Sequence, residues 1–282
     1  EAKTMYLQFE TNNYCNAHCA ICPHDRMKKR PYMRNETVDR IIDEVVPMAS
    51  SVLPFLYQEP ALDPRLSFHL EKIKKKNPAT QTTIYSNMSK MTCAMAKRLI
   101  DDGNLDHLVI SFYAPNKELY QKYQRGLDYY HTQSNILDFM TLRKQAHAMR
   151  PRVSMFYLET PELMDKFDWF YDRWSGIVDG VFPVPFDDFC GDITGFEVPV
   201  RNRAMPMHRP VCSRLENPTI LSDGTFVPCC LDYNGTVPLG NVNTQGWLEV
   251  RDGKVWELKE QMRKGEWDKV PDICKRCSVW LR

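Results

Sequence analysis

No uncharged apolar run in this 282-residue chain approaches eighteen residues, so a membrane-spanning helix is not expected. An excess of either charge is also missing. Lys and Arg number 37 against 36 Asp and Glu, a net charge of +1, which removes the electrostatic reason to expect nucleic acid or another polyanion as partner. The first residues, Glu1 to Met5, have no apolar signal core, so export is not expected and a cytoplasmic location is. In that reducing setting the ten cysteines read as metal ligands or free thiols rather than as a disulfide framework. Internal repeats and low-complexity tracts are absent. A 43% apolar content over this length allows a sizeable core, in one α/β barrel or one domain with a smaller appendage.

What the chain has is three cysteines spaced Cys15-x3-Cys19-x2-Cys22, in the loop after an expected first strand, Met5 to Thr11. Thiolates are the soft ligands iron–sulfur clusters require, and gaps this short let one loop wrap one cube. A fourth cysteine is missing nearby. A ferredoxin run is C-x2-C-x2-C-x3-C-P, so the wider first gap and the absent thiolate argue against a plain electron carrier. One iron is left open to a substrate or cofactor. The alternative is a tetrahedral zinc completed by His18 or His24. The spacing resembles the signature of the radical S-adenosylmethionine (SAM) enzymes. That resemblance implies a [4Fe–4S] cluster whose open iron is chelated by the methionyl amine and carboxylate of SAM.

From residue 5 to about 185, short apolar runs alternate with amphipathic stretches, the pattern of repeated βα units around a parallel sheet. Expected strands are Ser51 to Tyr57, Thr82 to Ser86, His107 to Phe112, Val153 to Leu158 and Ile177 to Val184. Between them, Val38, Ile41, Ile42 and Val45 recur at helical spacing behind Thr37. Further helices are expected at Leu66 to Lys75, Cys93 to Asp102 closed by Gly103, about Ile136 to Met149, and after Pro161. Cys93 reads as a small core residue on its helix. The expected fold is a partial (β/α)6 barrel over 1–185, with catalytic groups at the strand C-termini. A Pro-, Asp- and Arg-rich linker or active-site crossing follows at 186–211. A small domain over 212–282 then contains a hairpin, with Asp223-Gly224 at its turn, and a helix near Val255 to Arg263.

The resemblance continues at the later strand ends. Tyr57-Gln58-Glu59-Pro60 is similar to the family's Gly-Gly-Glu-Pro, with both glycines replaced, and Glu59 is expected to accept from the methionyl ammonium. A solvated turn residue is the alternative. Tyr85-Ser86-Asn87 resembles the Thr-Asn-Gly strand end. Ser111-Phe112-Tyr113, followed by Gln124-Arg125-Gly126, resembles the Ser-x-Asp and Arg-Gly pair. This implies Ser111 at the ribose or carboxylate and the Arg125 fork on the methionyl carboxylate. Glu159 is a candidate for the ribose or a surface residue. Ile21 stands where the family usually has an aromatic over adenine.

Cys212, Cys229 and the pair Cys274-x2-Cys277 supply four more thiolates, with Cys230 beside Cys229 as a possible substitute. A zinc ribbon would use the same spacing. The segments Asp223 to Asp232 and Asp272 to Cys277 resemble the twitch module, a shortened SPASM extension that carries one auxiliary [4Fe–4S] cluster, which implies two clusters per chain. Cys190, in the crossing, is expected to face the barrel mouth. There a thiol could return hydrogen to a substrate radical, a buried free cysteine being the alternative. Asp187, Asp188 and Asp192 contact a polar substrate or cap a turn.

These resemblances imply an enzyme that cleaves SAM reductively to a 5′-deoxyadenosyl radical and abstracts hydrogen from a small polar, sugar- or aminocyclitol-like substrate. Net dehydrogenation is assisted by the auxiliary cluster, as in 2-deoxy-scyllo-inosamine dehydrogenase-type enzymes, with the electron coming from a flavodoxin or ferredoxin. The alternatives are a radical epimerase using Cys190, a maturase of a ribosomal peptide, and a non-enzymatic iron–sulfur or zinc scaffold. No peptide-recognition domain fits before Cys15, which favours the small substrate.

Overall fold

The computed structural model describes residues 5–196, 209 and 211–279, so the middle of the expected crossing and both chain ends lie outside the described residues. Six βα steps open the chain. Strands β1 (Tyr6–Phe9), β2 (Ser51–Leu53), β3 (Gln81–Ser86), β4 (His107–Ser111), β5 (Arg152–Glu159) and β6 (Gly180–Pro185) pair in parallel, each with the next. Helices α1 (Asn35–Glu44), α2 (Leu66–Lys76), α3 (Cys93–Asp101), α4 (Lys117–Tyr123), α5 (Tyr129–Gln145), α6 (Pro161–Met164) and α7 (Phe167–Trp174) fill the connections. This is the partial six-stranded barrel.

Local chemistry sets the element ends. β2 is shorter than expected because Pro54, which has no N–H to donate, follows Leu53 directly. Pro183 and Pro185 are tolerated in β6 because it is an edge strand of the sheet. α3 begins at Thr92, whose hydroxyl accepts from the Met95 N–H at 3.2 Å, and Gly103 follows its end at φ +63°. Cys93 is exposed, not core, because the buried stripe of α3 is Ala96, Leu99 and Ile100. α5 starts seven residues before the expected Ile136, since Asp128 caps it by accepting from the His131 N–H at 2.7 Å. The sequence reading missed α4, which Asn116 caps by accepting from the Leu119 N–H at 3.0 Å.

The C-terminal strands β7 (Thr219–Ile220), β8 (Thr225–Val227) and β9 (Gly240–Asn241) do not form a separate sheet. β7 pairs in parallel with β1, in the register Gln8 to Thr219 and Phe9 to Ile220, and the antiparallel β7–β8–β9 meander continues outward. One nine-stranded sheet results, ordered β6-β5-β4-β3-β2-β1-β7-β8-β9. Three short helices follow, α8 (Trp247–Val250), α9 (Trp256–Arg263) and α10 (Asp272–Arg276).

The core follows this seam. One apolar cluster fills the barrel around Ile84, Leu108, Ile110, Phe112, Tyr157 and Phe170. A second packs Leu7 and Phe9 of β1 and Val38, Ile41 and Ile42 of α1 against Ile220, Phe226, Trp247 and Leu258. Each such large side chain contributes roughly 1.5–3 kcal/mol on burial, so β1 and α1 are held as firmly by the C-terminal segment as by the barrel. A buried ion pair crosses the same seam. Glu10, just after β1, accepts from Arg30 Nε at 2.9 Å and Nη2 at 3.0 Å, and also from the Ser222 N–H at 3.1 Å. Arg30 Nη2 donates in addition to the Tyr233 carbonyl.

Candidate active site

The loop after β1 is fixed before anything binds in it. Its His18 N–H donates to the Arg125 carbonyl at 2.8 Å and its Ala20 N–H to the Tyr123 carbonyl at 2.9 Å, while Arg125 Nε returns a bond to the His18 carbonyl at 3.0 Å. Gly126 stands at φ +86°, and a Cβ there would meet His18 Cδ2 at 3.3 Å, so the close approach calls for glycine. Cys15, Cys19 and Cys22 face a cavity of about 300 Å³ at the C-terminal ends of β2, β3 and β4. Its wall also carries Ile21, Glu59, Ser86, Asn87, Ser111 and Gln124, and an aromatic set of Phe55, Tyr57, Tyr85, Tyr113 and Phe189.

Glu59 is 2% exposed, not a solvated turn residue. One carboxylate oxygen accepts from Ser86 Oγ at 2.7 Å and the Ala61 N–H at 3.0 Å, and the other from the Asn87 N–H at 2.7 Å. Burial pushes its pKa up, opposed by those bonds. Asn87 Nδ2 in turn reaches toward Cys15 Sγ, at 3.9 Å. Two expected residues lie outside this wall. Arg125 is exposed and braces the loop by its bond to the His18 carbonyl, while Glu159 ends β5 away from the lining residues. The residue that turns inward is Gln124, whose Oε1 accepts from the Tyr113 N–H and whose Nε2 donates to the Ser111 carbonyl, both at 2.9 Å. Tyr120, Tyr123 and Gln124 are buried at helical spacing, i, i+3 and i+4, the signal that would have found both α4 and this residue.

A second cavity of about 200 Å³ is lined by Cys190, Cys212, Cys229, Cys274 and Cys277. Arg209 fastens its last loop, donating to the carbonyls of Cys274, Lys275 and Cys277. The sequence reading placed Cys190 at the barrel mouth, and the structure corrects that. Phe189 and Cys190 both adopt left-handed backbone, φ +51° and +60°, and Gly191 follows at +86°. The Asp187 carboxylate holds the turn by accepting from the Phe189 N–H at 2.9 Å. The two neighbours therefore face different cavities, Phe189 the first and Cys190 the second. Left-handed conformation costs about 1–2 kcal/mol for each non-glycine residue, so the surrounding bonds hold this turn against strain. Asp192 serves the same junction, accepting from Tyr233 Oη at 2.8 Å and Arg276 Nη1 at 3.3 Å, and Asp188 accepts from Ser278 Oγ at 3.1 Å.

Between the cavities stands Tyr57, packed on Phe189 and Tyr233 with ring centroids 5.9 and 6.1 Å apart, its hydroxyl donating to the Cys230 carbonyl. Cys230 is not among the lining residues of the second cavity, but its thiol takes a bond from Nη1 of Arg214, which is, at 2.9 Å.

The donor sets fit iron–sulfur clusters. Burial pushes Cys15 up to about 11, Cys22 up to about 12 and Cys19 well above its ordinary value, so these thiols ionise together only against a strong positive charge. Cys274 is likewise pushed up to about 12 by burial, and a hydrogen bond with Cys277 raises Cys190 while easing ionisation of its partner. Among the described residues no three Cys, His, Asp or Glu side chains converge closely enough to hold a single metal ion.

Comparison with known proteins agrees. The radical SAM superfamily model matches residues 9–147, and an iron–sulfur cluster-binding domain, SPASM, matches 212–278. No curated protein sequence matches the chain. Among solved structures, BtrN in complex with AdoMet and 2-DOIA superposes with a TM-score of 0.66 at 16% identity, covering 97% of this chain and 92% of that one. SuiB of Streptococcus suis bound to the precursor peptide SuiA gives 0.68 at 13% identity over 91% and 66% of the two chains. For anSMEcpe with bound AdoMet the values are 0.65, 17%, 99% and 84%. At these identities the structural likeness is one of fold alone, and the two domain matches show a radical SAM domain followed by an iron–sulfur cluster-binding SPASM domain, which imply [4Fe–4S] clusters and SAM as cofactors.

Proposed function

We propose that this enzyme cleaves SAM reductively, abstracts hydrogen from a small polar substrate of sugar or aminocyclitol type, and completes a net dehydrogenation with the help of a second cluster. The observation that carries this reading is the Phe189–Cys190 turn, whose adjacent residues line two separate cysteine-lined cavities. When bound, the N-terminal cluster and SAM supply a 5′-deoxyadenosyl radical.

Cys15, Cys19 and Cys22 hold that cluster, and the fixed loop keeps them in place. Ile21, on the cavity wall, would pack against the adenine. Glu59, braced by three donors, sets the Ser86 and Asn87 strand end toward the methionyl group and keeps a lone pair for its ammonium. Ser111 and Gln124 line the ribose or carboxylate side. The aromatic wall excludes water that would quench a radical. Five thiols, Cys190, Cys212, Cys229, Cys274 and Cys277, stand ready for the second cluster. The likeness to BtrN, a radical SAM dehydrogenase of 2-deoxy-scyllo-inosamine, supports the substrate class. A second reading, hydrogen abstraction from a peptide side chain, is favoured by the apolar lining of Phe55, Tyr57, Tyr85, Tyr113 and Phe189. Return of hydrogen by Cys190 has no support from its place beside Cys277.

Anaerobic reconstitution is expected to give about eight irons per chain, and SAM with dithionite to release 5′-deoxyadenosine. Four irons, bound zinc, or no release overturns the reading. Deuterium moving from a labelled aminocyclitol into 5′-deoxyadenosine, and none from a labelled peptide, separates the two substrate classes.

A further inference from the structure

The turn after β6 belongs to both regions at once. Its ends are in the barrel, where Phe186 and Ile193 are buried within the first apolar cluster. Its middle is bonded to the C-terminal region. Ser278 Oγ donates to Asp188 Oδ1 at 3.1 Å, Tyr233 Oη to Asp192 Oδ2 at 2.8 Å and Arg276 Nη1 to Asp192 Oδ1 at 3.3 Å. The backbone then closes the turn on itself, the Gly191 and Ile193 N–H groups both donating to the Asp188 carbonyl, at 3.1 and 2.9 Å. Contacts from one region thus fix a segment that starts and stops in the other.

What the turn presents is Phe189. Its ring lines the cavity of Cys15, Cys19 and Cys22, beside Glu59, Ser86, Asn87 and Gln124, the groups addressed to SAM. Two more rings pack against it, with centroids at 5.9 Å for Tyr57 and 6.4 Å for Tyr233, and these two are 6.1 Å from each other. Both are tied to the C-terminal region, Tyr57 through its hydroxyl on the Cys230 carbonyl and Tyr233 by its place in the chain. Left-handed backbone at Phe189 and Cys190 is disfavoured for residues with a Cβ, so the ring keeps this place only while outside contacts hold it. A bulky ring fixed on a cavity wall restricts how a ligand sits there without any polar contact of its own.

We infer that Phe189 is a positioning residue for SAM in the first cavity, and that the C-terminal region sets its place through the bonds of Ser278, Tyr233 and Arg276 to the 188–192 turn. The second region then serves the first site besides holding a cluster. The inference rests on the reading above that the first cavity holds SAM.

The test uses the full-length reconstituted enzyme with its clusters oxidised, so that SAM binds without being cleaved, and measures SAM affinity by equilibrium dialysis. Phe189→Ala is expected to weaken binding about tenfold, and Phe189→Leu, which keeps most of the bulk, to recover most of that loss. The outside contacts are cut by Tyr233→Phe with Ser278→Ala, which keeps the Tyr233 ring and removes two hydrogen bonds. Hydrogen exchange at the Gly191 and Ile193 amides should then quicken about tenfold and SAM binding weaken about threefold. Tyr233→Phe alone, the gentler change, should move both in the same direction. Adding Phe189→Ala to the double variant should weaken binding no further than Phe189→Ala does by itself, because the contacts act through that ring. Unchanged exchange in the double variant overturns the inference, as does a combined loss equal to the product of the separate losses. An enzyme that binds SAM yet releases no 5′-deoxyadenosine with dithionite counts against the proposed function alone, since this test reads only binding and exchange.

Discussion

The two cysteine-lined cavities, about 300 and 200 Å³, differ in what surrounds the thiols. The first has three cysteines from one short loop, facing strand ends that supply Glu59, Ser86, Asn87, Ser111 and Gln124. The second has five cysteines gathered from four separate stretches of chain, beside the charged side chains of Arg209, Arg214 and Asp232. Three thiols leave a corner of a cube free and the polar strand ends can address what fills it, whereas four or more saturate a cluster and leave it electron transfer. The same ligand chemistry thus takes opposite roles through the number of thiols and the company they keep.

That contrast can be broken most severely at a cysteine. Cys15→Ala is expected to abolish 5′-deoxyadenosine release while the irons of the second cavity stay bound. Cys190→Ala, its thiol in the other cavity, should leave release intact in single-turnover assays. Loss of release in Cys190→Ala would return that thiol to the barrel mouth. The seam comes next. Removing one partner of the buried Glu10–Arg30 pair, as in Arg30→Met, leaves an uncompensated charge and should cost about 3–5 kcal/mol, measured by urea unfolding of the cluster-free chain. If the two regions were independent, the transition would split rather than shift.

Acid should loosen the barrel side in particular. His69 on α2 is 1% exposed, neither ring nitrogen has a partner among the described residues, and burial holds its pKa down to about 4. The unfolded chain takes up that proton near 6.5 while the folded chain refuses it. Stability is therefore full above about pH 6.5 and declines toward pH 4, by about 3 kcal/mol. His69→Leu should flatten that decline, and an unchanged pH profile would show that the imidazole is not the cause. The smallest effect is expected in the hairpin. Gly224 has φ +89°, and a Cβ there would lie 2.5 Å from Asn243 Nδ2 and 2.8 Å from Asn241 Oδ1. Gly224→Ala should cost about 1–3 kcal/mol and loosen the second cavity before the first, as read by which irons are lost on mild heating.

Much of this was legible beforehand because it is local. The Cys15-x3-Cys19-x2-Cys22 spacing, the alternation of strands and helices, and the helical stripe of Val38, Ile41 and Ile42 are each set by neighbours a few residues apart, where covalent geometry decides. Side-chain direction at an irregular turn is not. Gln124 rather than Arg125 enters the first cavity because α4 ends where its buried face carries Gln124 inward, and Cys190 turns from the barrel because two left-handed residues in succession redirect it. At Glu59 the choice between a ligand-facing carboxylate and a solvated turn residue is decided against the turn only when β3 brings Ser86 and Asn87 against it.

By itself the sequence determined the ligand chemistry of both cysteine sets and the repeating βα architecture, since residue type and short-range period suffice for those. Only the tertiary structure decided that β7 would pair with β1 to fuse both regions into one sheet, and which cysteines would share a cavity. Pairing across some 200 residues depends on which apolar faces find each other when the core closes, and no local spacing encodes that.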